Sequence, residues 1–314
     1  MRRTLLTFFC LITAQSVFSQ GDGPHSYLLA PVGVTGINAK YIQLKQNFTS
    51  SDIFIPGAEI DISAYPITLY HTFSIKGAYA QGYVMVNPSS FTATSTTVPP
   101  VFPIPIGTQV KANGFSDGFA AFRIGLFGTP TLKPSAFIEE DMRFSVFADA
   151  RCWFSGSYDT AKFVNLGSNR NTIQLSVPMA IPLNKNRKRA TWLEVSPSLE
   201  LFTANNQPSK GNKANKITQS PMLILENHLS HNFSKKIWAT VGLRFRQGGT
   251  TSADGEKNDN QTQILGTSAG LGYQFKPFLG LLADYGTVLY GYNGAESNML
   301  RISLSLNYAN MKKP

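Results

Sequence analysis

The sequence predicts an all-β fold, an antiparallel transmembrane β-barrel of about 12 strands, on three observations. Strict alternation recurs along the chain, as in "LRISLSLNY", where Leu300, Ile302, Leu304, Leu306 and Tyr308 share one face and Arg301, Ser303, Ser305 and Asn307 the other. Most such runs reach or exceed the roughly nine to eleven residues that a tilted strand needs to cross a bilayer, against the five or six usual in soluble sheets. Charged residues make up only 15% of the chain, so apolar side chains are hidden by alternation and not gathered in one block.

Residues 1–20, "MRRTLLTFFCLITAQSVFSQ", read as a secretory signal, with Arg2 and Arg3 as the positive region, Leu5 to Ala14 as the apolar region and Val17-Phe18-Ser19 as the cleavage site. The expected division is a signal peptide over 1–19 and an outer-membrane barrel over 20–314. Export then leaves Cys152 as the one cysteine, which excludes an intramolecular disulfide. No other stretch approaches the roughly 20 apolar residues of a transmembrane helix. No linker, composition break or internal repeat divides the chain.

The formal charge of +10 falls to +8 with the loss of Arg2 and Arg3, and much of the excess sits in "LNKNRKR" (183–189) and "SKGNKANK" (209–216). Such runs read as solvated turns beside anionic lipid or lipopolysaccharide. An exported protein meets no genome, so nucleic acid is not an expected partner.

In chain order the alternating runs are 34–48, 58–74, 77–88, 117–128, 142–155, 170–182, 190–204, 217–233, 237–248, 260–275, 278–290 and 297–309, separated by turn residues. The charges keep to one face. In 190–204, Leu193, Val195, Pro197, Leu199 and Leu201 alternate with Glu194, Ser196, Ser198 and Glu200; in 237–248, Ile237, Ala239, Val241, Leu243 and Phe245 alternate with Thr240, Gly242, Arg244 and Arg246. In 142–155 the polar face carries Ser145, Asp149 and Arg151, and in 260–275 it carries Ser268, Gly270, Gly272 and Gln274.

Loop parity fits a barrel with short turns on the periplasmic side and long links outside. The short set is 74–76, 183–189, 234–236 and 276–277, with 129–141 as an exception whose "SAFIEEDM" suits one helical turn. The long set is 49–57, 89–116, 156–169, 205–216, 249–259 and 291–296. The last run reads as the closing strand, with Tyr308 in an interfacial aromatic girdle, followed by a six-residue tail, "ANMKKP".

Three stretches then stand in order. "GFSDGFAAFRIGLFGTPTL" (114–132) runs from a glycine through Asp117 into a strand ending near Leu126, Phe127 and Gly128. "VNLGSNRNTIQLSVPMAIPL" (164–183) places Asn165, Gly167, Asn169 and Arg170 before a strand. "LRFRQGGTTSADGEKNDNQTQILGTSAGLGY" (243–273) has a double glycine, a threonine pair, an aspartate-glycine and a glycine-rich strand. Together these resemble the outer-membrane transporter family named for the MetA pathway of phenol degradation, over nearly the whole chain beyond the signal. The departures are Ser116 in place of the family's second glycine and Gly118 in place of its proline. The resemblance implies a channel for small, often aromatic or apolar, compounds in the outer membrane of a Gram-negative-type bacterium. It implies no catalytic residue, and with no Walker loop, Rossmann fingerprint, paired zinc-ligand cysteines or nucleophile elbow in the sequence, no cofactor is expected.

The functional candidates are the charges expected in the lumen: Asp149, Arg151, Glu194, Glu200, Glu226, Arg244 and Arg246. Fixed charges lining a pore act on permeants at close range; the alternative is that they pair across neighbouring strands and fill the barrel. Twelve strands enclose more space than the eight whose side chains fill the interior.

His228 and Ser230 in "NHLSHN" share a face with Glu226, a pattern that suits nucleophilic lipid hydrolysis, but the bland reading is a polar lumen strand. Asp254, Glu256 and Asp259 miss calcium-loop spacing and read as a turn. The link 89–116, with Pro99, Pro100, Pro103 and Pro105 among Val101, Phe102, Ile104 and Ile106, is apolar enough to form either an inward constriction or an outward patch. A structural or adhesion barrel is the alternative from another class.

Overall fold

The structure, a computed structural model, describes residues 21–47, 58–96, 105–162, 165–209, 212, 214–292 and 296–309. The expected signal sequence, Pro99, Pro100 and Pro103 of the apolar link, and residues 310–314 of the tail lie outside the described residues.

The barrel strands are β1 (Val34–Asn47), β2 in two pieces (Ala58–Ala64 and Ile67–Ile75), β3 (Ala78–Ser95), β4 (Gln109–Phe127), β5 (Ser145–Phe154) and β6 in two pieces (Thr172–Ser176 and Met179–Pro182). There follow β7 (Thr191–Phe202), β8 (Met222–Asn232), β9 (Ile237–Gly248), β10 (Thr262–Lys276), β11 (Leu279–Tyr292) and β12 (Glu296–Ala309). Each pairs antiparallel with its neighbour in sequence. The closing ladder of β1 with β12 runs from Val34 opposite Ala309 to Asn47 opposite Glu296. Closure satisfies the backbone of every strand and leaves no edge, which an apolar solvent requires.

Side-chain alternation does the rest. On β12, Leu300, Ile302, Leu304, Leu306 and Tyr308 are exposed on the outer wall, while Arg301 and Ser303 are buried inside. Val241 and Leu243 on β9 and Leu223, Leu225 and Leu229 on β8 repeat the pattern. Aromatic side chains ring the wall near its ends: Phe233, Phe275, Phe278 and Tyr308 by the short turns, and Phe115, Phe154, Tyr290 and Tyr292 toward the long links. That is the surface of a barrel solvated by lipid.

The breaks in β2 and β6 fall at prolines. Pro178 in β6 and Pro197 in the neighbouring β7 both lack an N–H, so the ladder is held there by Val177 N to Pro197 O at 3.1 Å and Phe147 N to Pro178 O at 2.9 Å.

The short links behave as expected. Lys76 and Gly77 close β2 to β3 in two residues with φ of 49° and 84°, the twist-matched mirror-image turn. The longer link between β4 and β5 holds a one-turn helix, Pro134–Phe137.

The link 89–116 differs from expectation. Residues 89–95 continue β3 and residues 109–116 begin β4, paired from Asn87 opposite Ser116 to Thr94 opposite Gln109. A bulge between Met85 and Asn87 shifts the register and lets the hairpin continue; Phe91 and Ala93 then pack inward with Ile60 and Leu166. The run expected over 217–233 also divides at Pro221: Ile217–Gln219 leaves the barrel to pair with Thr251–Ala253 in a small separate sheet with Glu256–Lys257.

Candidate functional site

The lumen is the candidate site, and it is occupied at its middle by the chain's own residues 21–33, which precede β1. Polar side chains of seven barrel strands hold this segment, because its backbone has no sheet partner and a buried peptide group must bond to something. Glu194 on β7 accepts the backbone N–H of His25 at 2.7 Å and of Tyr27 at 2.9 Å. Glu226 on β8 accepts the N–H of Gly23 at 3.2 Å. The carbonyls are served from other strands: Arg301 on β12 donates to Gly21 at 3.2 Å, Lys40 on β1 to Asp22 at 3.0 Å, Arg123 on β4 to Ser26 at 2.8 Å and Thr72 on β2 to Pro31 at 2.7 Å.

Side chains of the segment add to this. Arg151 on β5 binds the Asp22 carboxylate with both terminal nitrogens, Nη1 to Oδ1 at 2.7 Å. His25 stacks on Trp238 with ring centroids 3.9 Å apart and shares a hydrogen bond with Ser230 at 3.1 Å. At Gly23, with φ +94°, a Cβ would run into the Arg301 guanidinium, so the tight approach requires glycine there.

All seven charges singled out from the sequence face the lumen; Glu194 is taken up by the N–H groups of the segment, and the other six meet opposite charges. Asp149 receives Arg123 at 2.8 Å, Arg151 at 3.3 Å and the Tyr83 hydroxyl. Glu226 receives His228 Nε2 at 2.7 Å and lies 3.8 Å from Arg244; Glu200 lies 4.0 Å from Arg246. Arg151 therefore finds its acceptors on its own strand, at the Tyr83 hydroxyl on β3 and in the segment, not in β6.

Sequence reasoning did not single out Arg123, Lys40, Asp284 or Asp22. Asp284 on β11 binds Arg301 through Nε at 3.0 Å and through Nη2 at 2.5 Å, with both side chains almost fully buried. The strand phase of Arg123 and Asp284 carried that signal; nothing in residues 21–33 did.

The hydrolase alternative is not assembled. Ser230 bonds to His25, while His228 turns its Nε2 to Glu226, so hydroxyl, imidazole and carboxylate form no single relay. Asp254 is a turn residue, accepting the backbone N–H groups of Asn215 at 3.0 Å and Lys216 at 2.8 Å. Among the described residues no group of three acidic, histidine or cysteine side chains could hold a metal ion.

Around the segment the lumen keeps a cavity of about 450 Å³, lined from Gln274, Gly280 and Asn307 on the short-turn side to residues near the long links. Its walls include Met85, Phe119, Trp153 and Phe202 on one hand and Arg170, Glu200, Arg244 and Arg246 on the other. Burial pulls the Arg170 guanidinium, which precedes β6, down to about 10 against the opposing pull of Asp117 and Glu200; it remains a cation at neutral pH.

The sequence pattern of the family described as "Putative MetA-pathway of phenol degradation" matches residues 104–304. No curated protein matches the sequence. Among solved structures, the fold is similar to that of an outer membrane channel from Pseudomonas putida F1, with a TM-score of 0.73 at 13% identity over 91% of this chain and 99% of that one. It is also similar to the β domain of the autotransporter BrkA from Bordetella, with a TM-score of 0.51 at 12% identity over 88% of this chain and 100% of that one. The translocator domain of NalP from Neisseria meningitidis gives 0.50 at 11% identity over 87% and 88%. These likenesses establish the twelve-stranded barrel as a known membrane architecture.

Proposed function

The chain belongs to the family described as "Putative MetA-pathway of phenol degradation", and on that premise we propose that it is an outer-membrane channel passing small organic solutes passively. The observation that carries this reading is a lipid-facing apolar wall around a polar interior that keeps a cavity of about 450 Å³. A barrel serving only as a scaffold needs the wall but not the hollow. The aromatic part of the lining suits aromatic or apolar solutes.

The seven charges divide by role in this reading. Asp149, Arg151, Glu194 and Glu226 hold residues 21–33 in place and so set how much of the lumen is open. Glu200, Arg244 and Arg246 line the open part and act on a passing charge. In this reading the chain is exported by the signal peptide expected over residues 1–19, and the barrel sits in the outer membrane beside lipopolysaccharide with its short turns periplasmic.

Single-channel recording in a planar bilayer tests this, comparing the intact barrel with a chain lacking residues 21–31. Small conductance steps in the first and several-fold larger steps in the second support the channel. The occluded middle of the lumen favours a second reading, a closed structural or adhesion barrel, and that reading gains if both chains insert and stay silent.

A further inference from the structure

We infer that the long-link end of the lumen cavity is a subsite for an aromatic carboxylate, held between the Phe119–Trp153 pair and the Phe202–Arg170 pair. The inference rests on the channel reading and names the solute class that the cavity selects.

Strand register builds the site. Phe119 on β4, Trp153 on β5, Thr172 on β6 and Phe202 on β7 are consecutive cross-strand partners, so they share the lumen face in one row. One row deeper stand Arg151, Gln174 and Glu200. Phe119 and Trp153 meet edge to face with centroids 4.7 Å apart, and the Arg170 guanidinium carbon lies 4.8 Å from the Phe202 ring centroid. The two aromatic surfaces, one on β4 and β5 and the other on β7, flank Thr172 of β6 and bound a space that a planar ring can enter.

The polar atoms in the slot specify its other half. Trp153 Nε1, Arg170 Nε and Gln174 Oε1 are shut off from solvent and have no hydrogen-bond partner among the described residues. Arg170 and Gln174 are only 6% and 8% exposed. An indole N–H and a guanidinium N–H only donate, so a group that satisfies both must accept. The Gln174 amide serves either way, since turning it over exchanges its oxygen for an NH₂.

Charge narrows the class further. Arg170, Arg244 and Arg246 line this cavity against the carboxylates of Asp117, Glu200 and Glu226. Asp117 is already engaged by the backbone N–H groups of Gly156 at 2.9 Å and Ser168 at 3.0 Å, and Glu226 by Gly23 and His228. Burying a guanidinium is costly unless anionic acceptors gather round it. An ammonium would add to the cations and bring only donors. A neutral alcohol supplies an acceptor but no charge. A carboxylate on an aromatic ring supplies both acceptors, the charge and the planar body.

Titration calorimetry on the folded barrel in detergent micelles tests this with sodium benzoate, benzyl alcohol and benzylammonium chloride as probes. The expected result is saturable benzoate binding, with benzyl alcohol weaker by about tenfold and benzylammonium not binding. Trp153→Phe keeps an aromatic ring and removes the N–H, and Arg170→Gln keeps a polar side chain, though a shorter one, and removes the charge. Each is expected to weaken benzoate by about tenfold, and Arg170→Gln to leave benzyl alcohol nearly unchanged. Heat-modifiable mobility on gels verifies that each variant is folded, and either variant alone suffices if the other does not fold.

Absence of saturable benzoate binding, equal affinity for benzyl alcohol, or unchanged benzoate affinity in both variants overturns the subsite. The two readings separate cleanly. Conductance without benzoate binding removes the subsite and leaves the channel, whereas variant-sensitive benzoate binding in a barrel silent with and without residues 21–31 keeps the site and removes the channel.

Discussion

Asp22 and Arg151, 129 residues apart in sequence, form a two-pronged ion pair inside the barrel, Nη1 to Oδ1 at 2.7 Å and Nη2 to Oδ2. Arg151 also reaches Asp149 at 3.3 Å, so it keeps an anionic partner when Asp22 is removed. The barrel wall therefore does not need this pair, while the segment inside it does.

Asp22→Asn is accordingly expected to loosen residues 21–33 without unfolding the barrel. A charge-assisted contact of this kind contributes about 1.5–3 kcal/mol. Single-channel recordings should show larger steps or about tenfold more time in them than for the unaltered chain. Identical recordings would mean that the remaining contacts, Glu194 to His25 and Tyr27 above all, hold the segment by themselves.

Arg301 and Asp284 behave differently, because each is the other's buried partner across the β11–β12 ladder. Asp284→Asn leaves a guanidinium in the lumen wall without its carboxylate, which costs about 3–5 kcal/mol for a buried pair. Replacing both residues by leucine should recover much of that loss, since neither charge is then stranded. Urea unfolding in micelles measures both; a double variant weaker than the single one would show that Arg301 matters mainly through Gly21.

The wall should respond to charge by face. Val241 is 53% exposed on the outer surface and Thr240 beside it is 4% exposed within. Val241→Arg is expected to cost about 2–4 kcal/mol near mid-membrane, and Thr240→Ser well under 1 kcal/mol, roughly the loss of one methyl. Folding equilibria into lipid vesicles check the difference. Equal costs would contradict the lipid-facing assignment of β9.

Much of this was legible beforehand. Period-two alternation in β7, β9 and β12 gave each side chain its face, because a strand cannot change one residue's face without changing its neighbours'. The same rule put Glu194, Glu200, Glu226, Arg244 and Arg246 in the lumen. It failed at residues 89–116, where the Met85–Asn87 bulge resets the phase and hides a continuing strand inside an apparent loop. Residues 21–33 were not legible at all. They have no periodicity, and what fixes them is a set of acceptors and donors scattered over seven strands.

The sequence by itself determined the strands, their two faces and the lipid-facing wall, since those follow from alternation, a property of consecutive residues. Tertiary structure alone decided what fills the lumen. Closing the sheet brings Glu194, Arg301, Lys40 and Arg123 around one short segment and sets Trp153, Arg170 and Phe202 against one cavity, and those neighbours are set by the register of separate strands, which alternation within each strand does not encode.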